Sequence, residues 1–214
     1  MTTPAEHLGA IRRSVATVDR DGVPAKQLTA TRTYPTDVAD LWDALTNPER
    51  IPRWFLPISG EVRVGGRYQL EGNAGGEILA CEPPTHVALT WEYGGEVSWV
   101  DLHLSGDTGQ ATLELVHVAP VPEEMWAQFG PGAVGVGWEL GLMALTEHLA
   151  TKAAVDPAAA AAWGATPDGI AFITGSSEGW ADASIAAGED PEQARAAAAA
   201  STAFYTATEE PAQA

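Results

Sequence analysis

Apolar residues along this chain recur with two periods, and each period predicts a different kind of element. Val38, Leu41, Trp42 and Leu45 stand at i, i+3, i+4 and i+7, which places four apolar side chains on one face of a helix. Pro35, Thr36 and Asp37 supply its start, with a side-chain oxygen for the free N–H groups of the first turn. Thr46-x-x-Glu49 has the form of a capping box, and Pro48 suits a first helical position, so a second short helix should follow and end at Trp54-Phe55. Two short helices in series, each with a large aromatic, make a corner that can wall one end of a cavity. Elsewhere the period is two. Ile11–Val18 and Ala25–Tyr34 flank the hairpin-type turn Arg20-Asp21-Gly22. After the corner come the strand runs Glu61–Val64, Arg67–Glu71, Gly76–Cys81, His86–Tyr93, Val97–Ser105 and Gln110–Val118. Their Gly- and Pro-rich separators leave no room for crossover helices, so the sheet should be an antiparallel meander.

Alternation within these runs assigns faces. Val100, Leu102 and Leu104 oppose Trp99, Asp101 and His103, while Ala111, Leu113, Leu115 and His117 oppose Thr112 and Glu114. Val87, Leu89, Trp91 and Tyr93 share one face of their strand. One apolar and one polar face predict a sheet covered on one side only. The cover is expected from about residue 133 to 152, where Trp138, Leu142, Leu145 and Leu149 form one helical stripe that Leu140 and Met143 widen. Gly135, Gly137 and Gly141 each weaken such a helix by roughly 1 kcal/mol relative to alanine. They are tolerable if the backbone lies close against the sheet or leaves space beside it. The fold class is therefore α+β.

Beyond Thr151 the composition shifts to alanine. Asp156-Pro157, Thr166-Pro167 and Asp190-Pro191 each read as an N-cap followed by a first helical proline, predicting three further helices, with Gly188 ending the middle one. Phe204 and Tyr205 follow the low-complexity run Ala196–Ala200 and favour a docked helix. The expected division is a domain over residues 1–152 and a helical extension over 153–214, packed on that domain or at a homodimer interface.

Charge narrows the functions. The 214 residues carry a net charge of −18 with a normal apolar share of 45 %. Residues 1–67 hold nine Lys/Arg against eight Asp/Glu, whereas residues 68–214 hold two (Lys152 and Arg195) against twenty-one. Such a field repels phosphate backbones and anionic lipid, which argues against nucleic-acid and membrane-surface roles. The single cysteine, Cys81, excludes an intramolecular disulfide and, in the apolar run Ile78–Cys81, is expected to be buried and inert. The N-terminus has no secretory pattern and no run approaches the ~20 apolar residues of a membrane span, so a cytoplasmic protein is expected.

Catalytic motifs fail on context. Gly130-x-Gly132-x-x-Gly135 fits a dinucleotide fingerprint, but Met125–Phe129 before it is no strand run and no βαβ unit follows. Gly175-x-Ser177-x-Gly179 lies inside a predicted helix with no histidine after His148, so the hydrolase order cannot be completed. There is no H-E-x-x-H, close histidine pair along the chain or Walker A sequence. Neither a metal nor a cofactor is expected.

The order of hairpin, two small helices, antiparallel strands and long C-terminal helix resembles the START-like (SRPBCC) helix-grip superfamily. The words that carry the likeness are LWDALTNPERIPRWF (Leu41–Phe55), VRVGGRYQLEG (Val62–Gly72), GEILACEPPTHVALTWEY (Gly76–Tyr93) and GVGWELGL (Gly135–Leu142). Over residues 11–150 they are most similar to the AHSA1-like branch, named after the C-terminal domain of activators of the Hsp90 ATPase. The resemblance implies a curved antiparallel sheet wrapped around a long helix, with a cavity between them for a small hydrophobic or amphipathic ligand. By position, Trp42, Trp54, Phe55, Tyr68, Trp91, Trp126, Trp138 and Leu142 would line or gate it, with His117 as the inward polar group. His86 and His103 read as exposed strand residues and His148 as a helix-surface one. Non-enzymatic ligand binding is the leading expectation. A cyclase- or dehydratase-like enzyme would need a cavity acid or base, for which His117, Glu71 and Glu77 are the candidates. A chaperone-ATPase partner is a third possibility, resting on the branch name; about ten residues precede the first strand run, too few for the separate N-terminal domain of eukaryotic activators.

Overall fold

The computed structural model describes residues 3–207. A short helix α1 (Pro4–Gly9) leads into the hairpin β1 (Ile11–Arg20) and β2 (Val23–Tyr34), followed by α2 (Val38–Thr46) and a single 3₁₀ turn, Ile51–Arg53. The meander then runs through β3 (Ile58–Gly60), β4 (Arg67–Leu70), β5 (Gly75–Glu82), β6 (His86–Tyr93), β7 (Glu96–Asp107) and β8 (Gln110–Ala119). All eight strands form one curved, unclosed antiparallel sheet in the order β1-β2-β8-β7-β6-β5-β4-β3. The corner after β2 carries the chain across the sheet to its far edge, and the meander returns until β8 pairs β2, with Leu28 opposite His117 and Arg32 opposite Leu113. Helices α3 (Glu123–Phe129) and α4 (Gly132–Thr151) follow, then α5 (Pro157–Gly164), α6 (Pro167–Ala186) and α7 (Pro191–Thr206). No helix among the described residues is long and apolar enough to cross a membrane.

The predicted faces hold. Val100, Leu102, Leu104, Leu113 and Leu115 join Leu41 and Ala44 of α2 and Leu142, Leu145 and Leu149 of α4 in one buried core. The caps of the last three helices are formed as their sequences imply. Asp156, Thr166 and Asp190 accept N–H groups of Ala158, Gly169 and Gln193 at 2.9, 3.1 and 3.0 Å. Gly188 takes φ 102° just past the end of α6.

Several local expectations give way to other hydrogen-bond partners. The run 61–64 is a turn instead of a strand, because Gly65 N–H donates to Ile78 O and Gly66 N–H to Arg63 O, both at 2.8 Å, and Gly65 adopts φ 75°. No capping box forms at Thr46. Its hydroxyl donates back to Trp42 O at 2.8 Å, and Asn47 Oδ1 accepts the Glu49 N–H at 2.9 Å. Asp37 does not cap its own helix by its side chain; Oδ1 accepts Gly109 N–H of the β7–β8 turn at 2.6 Å.

Helix α4 is enclosed on two sides, which corrects both the role of its glycines and the placing of its polar residues. Gly135 lies under the Trp180 indole of α6 and Gly137 beneath the Tyr205 hydroxyl of α7; only Gly141 faces inward, against Phe55. Tyr205 donates its hydroxyl proton to Ala133 O at 2.9 Å. Glu139, fully buried, meets Arg13 of β1 through two hydrogen bonds, Nε to Oε1 at 2.6 Å and Nη2 to Oε2 at 2.7 Å. Removing one partner of such a pair costs about 3–5 kcal/mol, since the other charge is then stranded. His148, expected on the surface, is fully buried. It accepts from Arg50 Nε at 3.1 Å through Nε2 and donates from Nδ1 to Ala153 O at 2.7 Å.

Candidate functional site

The corner and α4 leave a gap over the concave face of the sheet. This apolar cavity, about 290 Å³, is bounded by Trp42, Trp54, Phe55, Tyr68, Trp91, Trp138 and Leu142 together with Ile78, Leu89, Val100, Leu113 and neighbouring aliphatic side chains. The sequence named the aromatic part of this wall. The aliphatic part comes from inward positions of β5 to β8 and was legible in their alternation as core, without a sign that the space over them stays open.

A run of rings forms one side. Trp54 stacks on Phe55 at 5.3 Å between centroids, Phe55 on Trp138 at 6.4 Å, and Trp138 meets Trp91 at 4.8 Å. Each is pinned. Trp54 Nε1–H donates to Ala44 O at 2.8 Å, and Phe55 rests on the bare backbone of Gly141. Tyr68 donates its hydroxyl proton to Thr90 O at 2.8 Å, while burial, with Glu92 nearby, pushes its phenol well above the ordinary range.

His117 stands behind this wall, outside the cavity lining. Trp138 Nε1–H can only donate, so Nδ1 of His117 at 2.9 Å is the acceptor and the proton sits on Nε2. That proton is donated to Ser98 Oγ at 2.8 Å, and Ser98 in turn donates to Trp91 O at 3.0 Å. Burial lowers the His117 pKa to about 4, so the ring is neutral at pH 7. Both nitrogens are committed, and the chain of bonds ties the Trp138 indole to the backbone of Trp91, linking two of the four tryptophans that line the cavity.

Trp126 is not brought to the cavity. It lies with Lys26, whose Nζ sits 4.5 Å from the ring centroid, and its Nε1–H donates to Glu189 at 2.9 Å. Glu71 and Glu77 are not among the lining residues either. Cys81, expected buried, is exposed at the mouth beside Arg63 and Pro83. The β5–β6 register shifts between Ile78 and Ala80, so Leu79 is bulged and Cys81 joins Ile78 on the concave face.

A polar knot closes the corner against the end of α4. Arg50 pairs with Asp40 at 2.8 Å and Asp43 at 2.9 Å, and Lys152 reaches Asp40 at 2.5 Å. Partial burial pushes the Asp40 carboxyl up, but hydrogen bonds from Lys152, Thr36 and Arg50 outweigh it and hold its pKa at about 2. Arg53 donates to Lys152 O. No local pattern announces this knot, because Lys152, which ties it to the end of α4, lies 112 residues from Asp40.

A curved antiparallel sheet gripping a long helix around an apolar cavity is the helix-grip fold of the START-like superfamily. Within it the chain belongs to the AHSA1-like family, whose model, described as activator of Hsp90 ATPase homolog 1-like protein, matches residues 35–150. Among solved structures it is similar to CalU16 from Micromonospora echinospora, at 31 % identity. The CalU16 crystal structure covers 81 % of this chain and 98 % of its own, with a TM-score of 0.65. The solution structure of the same protein covers 83 % and 97 %, with a TM-score of 0.69. MLL2253 from Mesorhizobium loti, 23 % identical over 58 % of this chain and 96 % of its own with a TM-score of 0.51, bears on the fold alone. No curated protein matches the chain.

Proposed function

We propose that the protein binds a small hydrophobic or amphipathic molecule in this cavity and leaves it chemically unchanged. The observation that carries the reading is the lining itself. It is aliphatic and aromatic apart from Cys81 and the hydroxyls of Thr46 and Tyr68, which are engaged by Trp42 O and Thr90 O, and its one charged residue, Arg63, stands exposed at the mouth. Its volume falls at the lower end of small-molecule sites, roughly 300–1,000 Å³. A guest with an apolar body would regain the dispersion contacts that the open space forgoes, and a polar or anionic head would rest by Arg63.

Turnover would need a titratable group within hydrogen-bonding reach of the guest. The sequence candidates do not supply one: His117 has both nitrogens engaged behind Trp138, and Glu71 and Glu77 lie off the lining. This favours a carrier or sensor over a catalyst.

The test is titration with 1-anilinonaphthalene-8-sulfonate, an apolar dye with an anionic head, read by energy transfer from the cavity tryptophans and by native mass spectrometry. One dye per chain is expected. A Cβ at Gly141 would meet Phe55 at 3.4 Å, so the Gly141→Leu side chain extends into the cavity while adding helix propensity. It should weaken the dye by about tenfold or more, equivalent to ~1.4 kcal/mol. No binding by the native protein, or undiminished binding by a folded Gly141→Leu variant, would overturn the proposal.

A further inference from the structure

The opposite, convex face of the sheet carries a second constellation. His86 on β6 and His103 on β7 are direct cross-strand partners, and Asp101 stands two residues before His103 on the same face. The imidazoles lie face to face, 4.5 Å between centroids and 4° from parallel. Nε2 of His86 is 2.9 Å from Asp101 Oδ1. One ligand atom from each of the three residues lies within 4.8 Å of the others. Sequence spacing concealed this, because the histidines are seventeen positions apart and only the β6–β7 register makes them neighbours.

The surroundings favour a cation. The cross-strand row continues with Glu82 opposite His86 and Glu114 opposite His103, so carboxylates flank the imidazoles on both sides. Ala88, opposite Asp101, leaves that carboxylate uncrowded. Two parallel imidazoles gain little by stacking alone, whereas two imidazole nitrogens and a carboxylate oxygen are a favoured donor set for zinc and its neighbours. Tetrahedral ligation at about 2.0–2.1 Å asks for ligand atoms about 3.3 Å apart. Rotation of exposed rings about χ2 closes the remaining gap without moving the strands.

We propose that His86, His103 and Asp101 form a binding site for a borderline divalent transition-metal ion of the Zn²⁺ class. The three side chains fill one face of the ion's coordination sphere, and water or a side chain of another molecule completes it. Soft-ligand metals lack a thiolate here. Mg²⁺ and Ca²⁺ prefer oxygen ligands throughout, so the two imidazoles select against them. The site lies across the sheet from the apolar cavity and does not depend on what that cavity holds.

Isothermal titration of the full chain with zinc chloride, in a buffer that does not chelate the metal, tests this directly. One zinc site per chain is expected, with no comparable site for magnesium. His86→Ala and His103→Ala should each weaken zinc on the order of tenfold or more, and Asp101→Asn should weaken it measurably. All three positions are at least partly exposed, so circular dichroism should show folded variants that still bind the dye in the cavity. Zinc taken up no more tightly than magnesium would overturn the proposal. So would unchanged zinc affinity in folded His86→Ala and His103→Ala variants, which would place the uptake on scattered carboxylates.

Discussion

Burial holds the His117 ring neutral by making its charged form costly, and this couples folding to pH. Its folded pKa of about 4 lies below the ordinary histidine value of 6.5, so between those limits the unfolded chain binds a proton that the folded chain refuses. The stability due to this group is therefore present in full above about pH 6.5 and is lost as pH falls towards 4, by roughly 3 kcal/mol in all. His7 and His148 are lowered by burial too and act in the same direction. Urea unfolding at pH 7 and pH 5 should show the loss. His117→Asn should flatten the pH dependence even though it is less stable at pH 7; equal slopes in both proteins would contradict the assignment. At this scale the sequence was a partial guide. Trp42, Trp54 and Trp138 were placed at the cavity by pattern and position, whereas His117 was correctly turned inward and then screened by Trp138, a residue from another element. Trp126 went elsewhere because its partners, Lys26 and Glu189, are remote in the chain and invisible to any local pattern.

Among the elements, α4 carries the clearest consequence. Alanine at Gly135 would drive a methyl group into the buried Trp180 indole, whereas at Gly141 it would meet Phe55 at ordinary contact distance. Overpacking of this kind costs about 1–3 kcal/mol, against the ~1 kcal/mol gained by replacing a helical glycine. Gly135→Ala should therefore lower the urea midpoint and Gly141→Ala should hold or raise it; equal midpoints would show that α6 yields without cost. Strands and late helices were legible because their determinants are local: two-residue alternation, glycine turns, and Asp-Pro or Thr-Pro caps. The turn at 61–66 and the buried His148 were not, since each is decided by a bond to a distant segment; the capping box at Thr46 is lost instead to a competing bond within its own helix, from the Thr46 hydroxyl to Trp42 O. Glu139 did leave a trace, an acid amid the apolar residues of α4, matched by Arg13 on the Ile11–Val15 face of β1.

For the whole molecule, the sole cysteine is a reporter placed at the mouth of the cavity. Cys81 is exposed and lines the opening, so N-ethylmaleimide should modify it in the native protein, and saturating dye should slow that modification. Mass spectrometry of the intact chain gives both rates; identical rates with and without dye would separate the thiol from the guest. If the cavity holds a guest as proposed, the mouth would also decide how that guest comes and goes. Helix α4 is pressed by the sheet on one side, by Trp180 and Tyr205 on another, and is tied at its end through Arg50, Arg53 and Lys152. So anchored, it has no inexpensive way to swing off the sheet, and exchange of such a guest would be left to the opening at Arg63, Cys81 and Pro83. Occupancy at equilibrium would then belong to the apolar interior, and residence time to a few exposed residues at the doorway, so the two could be tuned apart.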